Sequence, residues 1–308
     1  MRVTQSMLST NMLRNLNTSY GKMGKLQNQI DSGMKFTRAS EDPVAAIKGM
    51  GYRTSLNKIE QFQRNIGEVN TWVDTTDATY GEVGDAVNRL RELLVQASND
   101  TNTADDRDKI KTEVEQIREQ IRDMGNTQVA GKYIFSGTNT QKPLFIDDGS
   151  GTGARVMNPN IIAPDGKVMM EVFEGVTFNV NSNGMPIFKG IDDTLGRAIE
   201  AIESDDSTAI SEILGDGIGD PTDLTNISSI HSAILVSRAE LGAKQQRVEM
   251  MDNRLATLNI NITKQKSMNE DTDYAKAISD LTIAQSIHSA GLSIGAKIVQ
   301  QTLVDFIR

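Results

Sequence analysis

The chain has 308 residues, is 38% hydrophobic and contains no cysteine, so it can bury a core but cannot form a disulfide, a thiolate metal site or a cysteine nucleophile. Its net charge is -9 and is unevenly distributed: residues 1–40 carry six Lys/Arg against one acidic residue, and residues 263–308 carry five of each sign. The stretch between them is therefore strongly acidic, which argues against nucleic acid or an anionic membrane as the main partner.

The first twenty residues lack the continuous apolar core and the small-residue cleavage site of a secretory signal. No stretch approaches the roughly eighteen apolar residues of a membrane-spanning helix, so no membrane insertion is expected. If the protein leaves the cell, we expect it to do so without a cleaved signal.

The first predicted element is an amphipathic helix, and it has a counterpart at the C-terminus. Its apolar stripe is Leu13, Leu16, Tyr20, Met23, Leu26 and Ile30. The C-terminal stripe is Ala277, Leu281, Ala284 and His288, followed after a register shift near Gly291 by Leu292, Ala296, Val299, Leu303 and Phe306. A helix pair alone buries little surface, so residues 1–40 and 270–308 are expected to pack on each other and on neighbouring copies, and to be mobile in the monomer.

These stripes supply the candidate residues for subunit assembly. They are Leu13, Leu16, Tyr20, Met23, Ile30, Leu281, His288, Leu292, Val299, Leu303 and Phe306.

A connector follows the first helix. Gly33 can turn the chain out of that helix, and Ser40 is the predicted N-cap of the next one. Glu41 and Asp42 favour the positive end of the second helix, and Pro43 suits its first turn.

A long heptad repeat occupies residues 59–97, with the seam Ile59, Phe62, Ile66, Val69, Val73, Thr76, Tyr80, Val83, Val87, Leu90, Leu94 and Ala97. At 1.5 Å per residue this coiled-coil segment would span roughly 60 Å. A polar turn with Thr103 as predicted N-cap leads into a second seam, Ile110, Val114, Ile117, Ile121 and Met124. These two helices should fold back on each other.

The chain changes character between residues 131 and 190, where prolines, phenylalanines and glycine-rich turns concentrate. The segments 131–135 and 168–173 are predicted strands. Two short helices are expected within 191–221. A third long seam follows, interrupted by Ser237 and Lys244: Ile227, Ile230, Ile234, Ser237, Leu241, Lys244, Val248, Met251, Leu255, Leu258 and Ile262.

The predicted fold class is mainly α with a β-rich insertion. Residues 41–130 and 222–269 would form a long antiparallel coiled-coil rod, built with the N- and C-terminal regions. Residues 131–221 would form an outer β-rich domain with short helices. The helices 1–40 and 270–308 would form a separate pair.

Catalytic, cofactor and metal sites are not indicated by the residue pattern. The two histidines, His231 and His288, have no cysteine to help either of them bind a metal. The glycine-rich segment 149–153 lacks the Lys-Ser/Thr of a phosphate-binding loop, and the acidic segment 216–223 lacks calcium-loop spacing. Flexible or solvated loops are the simpler interpretation, and an enzyme is the least favoured class.

The connector 29–46, with Ser32-Gly33-Met34-Lys35-Phe36 followed by Ser40-Glu41-Asp42-Pro43-Val44-Ala45-Ala46, resembles the flagellin superfamily. Its Ser-Glu-Asp-Pro-Val-Ala-Ala form is similar to the branch that joins the flagellar hook to the filament. The segments 131–138, 142–145, 238–247, 271–275 and 303–306 agree with that branch. Asp31-Ser32 and Ser40-Glu41-Asp42 depart mildly from the commoner serine pair and aspartate pair.

The resemblance implies a non-enzymatic structural adaptor that self-assembles into a ring between hook and filament. Its implied partners are further copies of itself, an upstream hook-associated protein, the flagellin filament and a flagellar export chaperone. The implied location is the extracellular flagellum, reached by the flagellar type III pathway without a cleaved signal. A filament-forming flagellin and a coiled-coil type III secretion tip component remain alternatives.

Overall fold

The computed structural model describes residues 5–99, 102–148, 155–161, 166–215 and 219–304, and within these ranges the chain forms seven helices and six short strands. The helices are α1 (Gln5–Ser32), α2 (Pro43–Ala97), α3 (Ala104–Gly125), α4 (Met185–Glu203), α5 (Ser207–Leu214), α6 (Ile227–Glu270) and α7 (Tyr274–Val304). The strands are β1 (Gln128–Val129), β2 (Lys132–Tyr133), β3 (Phe145–Asp147), β4 (Arg155–Met157), β5 (Met169–Phe173) and β6 (Val176–Asn179). The predicted fold class is confirmed.

Contacts divide the chain into two compact units. We call residues 1–59 together with 257–308 the terminal unit, and residues 60–256 the central unit. Helices α2 and α6 each contribute to both. The division into a rod and an outer domain at 131–221 remains a prediction.

The heptad seam of α2 forms much of the core of the central unit. From Ile66 to Ala97 every predicted seam position is buried, while Phe62 is half-buried. The polar member of the seam, Thr76, is fully buried and donates its hydroxyl hydrogen to the Trp72 carbonyl over 2.7 Å. Because Trp72 and Leu93 are buried as well, the apolar face is wider than the two positions per heptad that the sequence predicted.

Helix α3 begins as predicted, with Thr103 as its N-cap. The Thr103 hydroxyl oxygen accepts a hydrogen bond from the Asp106 amide over 3.3 Å. Ile110, Val114 and Ile117 are buried, which confirms the second seam.

A charged cluster joins α3 to α4 at the edge of this core. The Asp192 carboxylate accepts hydrogen bonds from Arg118 Nε and Arg122 Nε, each over 2.8 Å, and all three side chains are largely shielded from solvent. Burial by itself raises the pKa of Asp192, but hydrogen bonds and charges from Arg118 and Arg122 outweigh it, so the pKa lies below the ordinary 3.8. The folded state therefore holds this carboxylate ionised.

We expect Asp192→Asn to lower the free energy of unfolding at pH 7 by about 3 kcal/mol, because Arg118 and Arg122 lose the shielded carboxylate that both contact, which leaves Arg122 with Glu119 alone. Since the folded-state pKa is depressed, this stabilisation is present above the unfolded pKa and is lost as pH falls through the folded value. Urea unfolding at pH 7 and pH 3 measures both effects. The exposed neighbour supplies the control: Asp193→Asn should change little, and an equal loss for the two variants would contradict the prediction.

The strands form three separate antiparallel pairs, β1 with β2, β3 with β4, and β5 with β6. The predicted strand at 168–173 is observed as β5, but the one at 131–135 is reduced to β2, because Ala130 and Gly131 adopt positive φ angles of 49° and 76° and place a tight turn before it. After β2 the chain enters the core, where the Phe135 ring lies 4.7 Å from the Phe188 ring and 5.3 Å from the Tyr80 ring.

The two polar interruptions of the α6 seam have partners in the central unit. The Lys244 ammonium group donates to the Asn181 carbonyl over 3.0 Å, and burial lowers its pKa. Ser237 lies near the Tyr80 hydroxyl, which is 3.2 Å from the Ser182 hydroxyl. Burial raises the pKa of Tyr80 to about 12. These residues fasten the 181–182 segment to α2 and α6.

Candidate functional site

The connector between α1 and α2 is shaped by its own hydrogen bonds. Helix α1 ends at Ser32, and Gly33 follows with a φ of +71°, a conformation that favours glycine. Pro43 opens α2 as predicted, but the predicted cap at Ser40 is wrong. The Asp42 carboxylate accepts from the Ala45 amide over 2.9 Å and caps α2, because it lies immediately before the helix.

This connector pairs with the one between α6 and α7, inside the terminal unit. The Lys35 amide donates to the Glu270 carbonyl over 2.7 Å, and the Thr272 amide donates to the Gly33 carbonyl over 2.8 Å. The Lys35 ammonium group reaches the Met268 carbonyl over 2.5 Å. We call residues 33–35 and 268–272 the connector clasp. It fixes the ends of α1 and α6 to each other.

Glu270 is the centre of this clasp. Its side chain is 3% exposed, and one carboxylate oxygen accepts from Arg53 over 3.0 Å. The other carboxylate oxygen has no hydrogen-bond partner among the described residues and lies directly against Gly49 of α2. The Asn269 amide group donates to the Ala45 carbonyl over 2.9 Å. The first turns of α2 therefore pack against Glu270 at a distance that a side chain at position 49 would prevent.

We expect Gly49→Ala to weaken the clasp by about 1–3 kcal/mol, because the added methyl group would overlap the Glu270 carboxylate. The matched control is Gly51→Ala on the same helix, where the methyl group meets open space and should stabilise the helix slightly. Amide hydrogen exchange at Lys35 and Thr272 reports the clasp directly. Exchange that is unchanged in Gly49→Ala would show that the close approach is unimportant.

Helices α1 and α7 contact each other along a heptad-spaced seam. The Tyr20 and His288 rings lie 6.2 Å apart, and Leu16 lies against Gly291 while Met12 lies against Gly295. The seam-facing positions are Met12, Leu16, Ser19, Met23, Leu26 and Ile30 of α1, and Ala277, Leu281, Ala284, His288, Gly291 and Gly295 of α7. The glycines leave room for the larger side chains opposite them.

The predicted stripes need correction at four positions. Leu13, Tyr20 and Leu292 are 60%, 68% and 51% exposed, and Ala296 is exposed too, because the seam runs through Met12, Ser19, Gly291 and Gly295 instead. The seam continues through Gly291 and Gly295 without the predicted register shift.

The other predicted assembly residues fall into two groups. Leu16, Met23, Ile30, Leu281 and His288 are half-buried. The side chains of Val299 and Leu303, and all of Phe306, lie outside the described residues. The assembly role of the whole set remains a prediction.

The terminal unit exposes most of the large apolar side chains of the described chain. Sixteen of the twenty-two exposed large hydrophobic residues belong to it, whereas Ile59 and Ala277 are its only members among the buried hydrophobic residues of that part of the chain. We call the sixteen the terminal apolar surface: Met7, Leu8, Leu13, Tyr20, Met34, Val44, Ile47, Met50, Ile260, Met268, Tyr274, Ile278, Ile283, Ile287, Leu292 and Ile294. Exposure on this scale is typical of a surface that another molecule covers.

The sequence prediction did not include most of this surface. Ile278, Ile283, Ile287 and Ile294 lie next to the α7 seam positions rather than on them. The sequence did contain a sign of these residues, because the apolar face of α7 is broader than one stripe. A face of that width indicates a helix that contacts more than one neighbour.

The two units also differ in net charge. The terminal unit contains fourteen Lys/Arg and eight Asp/Glu, a net charge of +6, and the central unit contains eighteen and thirty-three, a net charge of -15. Among the described residues no group of three or more His, Asp or Glu could hold a metal ion, and no helix is long and apolar enough to cross a membrane. The segment 149–153 and residues 216–218 lie outside the described residues.

Two family models match the chain: the bacterial flagellin N-terminal helical region at residues 3–140, and the bacterial flagellin C-terminal helical region at residues 224–307. The chain belongs to the flagellin family. Together the two matches include the helices of the terminal unit and the seams of α2, α3 and α6. Proteins of the flagellin family are structural rather than enzymatic, and this chain is a structural protein of the flagellum.

Individual flagellar proteins resemble the chain over most of its length. Flagellar hook-associated protein 3 of Escherichia coli is 25% identical, over 93% of each chain. The flagellin of Bacillus subtilis is also 25% identical, over 98% of this chain and 97% of its own. The crystal structure of Bacillus cereus FlgL shares the fold with a TM-score of 0.55 and 24% identity, covering 70% of this chain and 99% of FlgL.

Proposed function

We propose that this protein joins the flagellar hook to the flagellin filament by assembling, through its terminal apolar surface, into a ring of identical copies. The observation that carries the proposal is the contrast between the terminal unit, which buries little and exposes sixteen large apolar residues, and the well-packed central unit. Contacts with further copies, and with proteins above and below the ring, would remove this surface from water.

Charge favours the same arrangement. Central units at -15 repel one another more strongly than terminal units at +6 do. Assembly should therefore begin at the terminal helices. The partners in this proposal are an upstream hook-associated protein on one side and flagellin on the other.

The proposal includes a soluble monomer whose terminal helices are mobile. An isolated α1–α7 pair with a narrow seam has little apolar burial to offset its ordering, so it would become ordered on docking. Such a chain suits export through the narrow channel of the flagellar type III pathway without a cleaved signal, and an export chaperone would cover the apolar termini before assembly. The final location would be the extracellular part of the flagellum.

A filament-forming flagellin is the second candidate function. It is favoured by the full-length similarity to Bacillus subtilis flagellin, which equals the identity to hook-associated protein 3. The junction is preferred because the segment Ser40-Glu41-Asp42-Pro43 resembles the junction branch. Family membership gives no support to a secretion tip component.

A deletion strain separates these candidates. Loss of the gene should leave hooks without attached filaments while flagellin is still exported and accumulates in the medium. Absence of filament protein from both cells and medium would instead indicate a flagellin. Unchanged filaments and motility would contradict both candidates.

A further inference from the structure

The buried seam of the two longest helices ends at a definite point. Among the described residues, Ile59 is the first buried hydrophobic residue of α2, and Leu255 is the last one of α6. No side chain between residues 257 and 269 of α6 is buried. The division between the two units falls at the same point, after residue 59 and after residue 256. Both helices therefore continue past the core with little apolar burial to hold them.

The β5–β6 hairpin contacts both helices at this end of the core. The Phe173 ring stacks on the Phe62 ring of α2 with 6.2 Å between their centroids, and the Arg254 guanidinium of α6 lies 4.6 Å from the centre of the Phe173 ring. The Asn65 amide group of α2 donates to the Glu171 carbonyl over 2.7 Å. One aromatic side chain of the hairpin thus contacts both long helices.

Further contacts hold the hairpin in place. Val172 is fully buried, Phe178 is 3% exposed, and the Arg247 guanidinium of α6 lies 5.6 Å from the centre of the Phe178 ring. Burial of these apolar side chains and the attraction between a guanidinium and an aromatic face both favour the docked hairpin. Phe62 and Arg254 lie within three residues of the division between the units, so the hairpin contacts coincide with the end of the core.

We propose that the β5–β6 hairpin is a strap that stops fraying of the terminal unit from spreading into the central unit. Helices open from their ends, and opening is easy where few apolar contacts are lost. Phe173 joins the last core turns of α2 and α6, so opening at that point must break contacts with both helices at once. The inference rests on the mobility of the terminal helices proposed above, and it gives the hairpin a role separate from assembly.

Phe173→Ala tests the strap by amide hydrogen exchange in the full-length monomer. We expect residues 60–66 of α2 and 250–256 of α6 to exchange about ten-fold faster, because the contacts that join these turns are lost. Residues 83–94, deep in the same core, should exchange as in the wild type. Met169→Ala is the matched control, since Met169 belongs to the same hairpin but is 51% exposed, and it should leave all of these rates unchanged.

Three arginine variants test the guanidinium contact on the exposed surface of the helices, where no cavity is created. Arg254→Gln should raise exchange at 60–66 and 250–256 about three-fold, and Arg254→Lys, which keeps a cation over the ring, should raise it less. The control is Arg64→Gln, because the Arg64 guanidinium donates to Gln61 over 2.8 Å and its loss should not affect the hairpin.

The strap is contradicted if Phe173→Ala exchanges like the wild type at 60–66 and 250–256. It is also contradicted if exchange at 83–94 rises by the same factor, since the hairpin would then stabilise the whole unit rather than its end. Exchange of α1 and α7 in the wild type separates this inference from the proposed function. Slow exchange there would contradict the proposed mobility itself, whereas fast exchange there with unchanged rates in Phe173→Ala would overturn the strap alone.

Discussion

Replacing Val87 with aspartate should lower the free energy of unfolding of the central unit by about 4 kcal/mol, because it buries a carboxylate without a partner. Val87 is 2% exposed and lies in the middle of the α2 seam. Urea unfolding followed by circular dichroism gives the change in free energy. A midpoint equal to that of the wild type would mean that the seam is not the core of this unit.

The matched control for this variant is Val95→Asp on the same helix. Val95 is 54% exposed, so the new carboxylate stays in water and stability should change by less than about 0.5 kcal/mol. A similar loss in both variants would point to a general effect of added negative charge on a unit that is already strongly acidic.

Replacing Ile287 and Ile294 together with serine should abolish filament attachment while leaving the folded monomer intact. Both side chains are more than half exposed on α7, so the change removes apolar area from the terminal apolar surface without opening a cavity. The variant is expressed in the deletion strain, and attached filaments are counted by electron microscopy. Flagellin should collect in the medium.

Leu235→Ser with Val236→Ser is the control for this pair. These residues are exposed apolar side chains of α6 in the central unit, at 52% and 48%, and their loss should leave attachment near the wild-type level. Attachment that survives the Ile287 and Ile294 changes would remove the terminal apolar surface from the assembly mechanism.

The central unit was the more predictable part of the fold. The α2 seam could be predicted from the sequence because its period is unbroken over many turns and most of its members are large and apolar, so only one face of the helix can be buried. The Thr103 cap was predictable for a local reason, since a cap depends on the residues within one turn. Even the interruptions at Ser237 and Lys244 were visible, although their partners Tyr80 and Asn181 were not.

The two helices of the terminal unit were predicted, but some of the residues through which they contact each other were not. A search for apolar residues selects Tyr20 over its neighbour Ser19, and it accepts Leu13 as readily as Met12. The observed seam uses Met12 and Ser19. A glycine such as Gly291 adds nothing to a hydrophobic pattern, although its lack of a side chain leaves room for Leu16 on the opposite helix.

The connector clasp could not be predicted from the sequence for a related reason. Its backbone hydrogen bonds join residues more than two hundred positions apart, as between Lys35 and Glu270. Backbone pairing of this kind has no residue-type signature. The exposed Ile278 and Ile287 were missed although the apolar face of α7 is broad in the sequence, because a single-stripe pattern describes one partner and not several.

Cysteine labelling measures the covering of the terminal apolar surface most directly, because the chain has no cysteine of its own. Ile287→Cys in the terminal unit and Met169→Cys in β5 both replace exposed side chains, at 61% and 51%. Each variant is treated with a maleimide as the free monomer and in isolated hook–filament complexes, and the labelled fraction is read by mass spectrometry. We predict that Ile287→Cys reacts fully in the monomer and is blocked in the complex, while Met169→Cys reacts in both. Equal labelling of Ile287→Cys in the two states would contradict assembly through the terminal apolar surface.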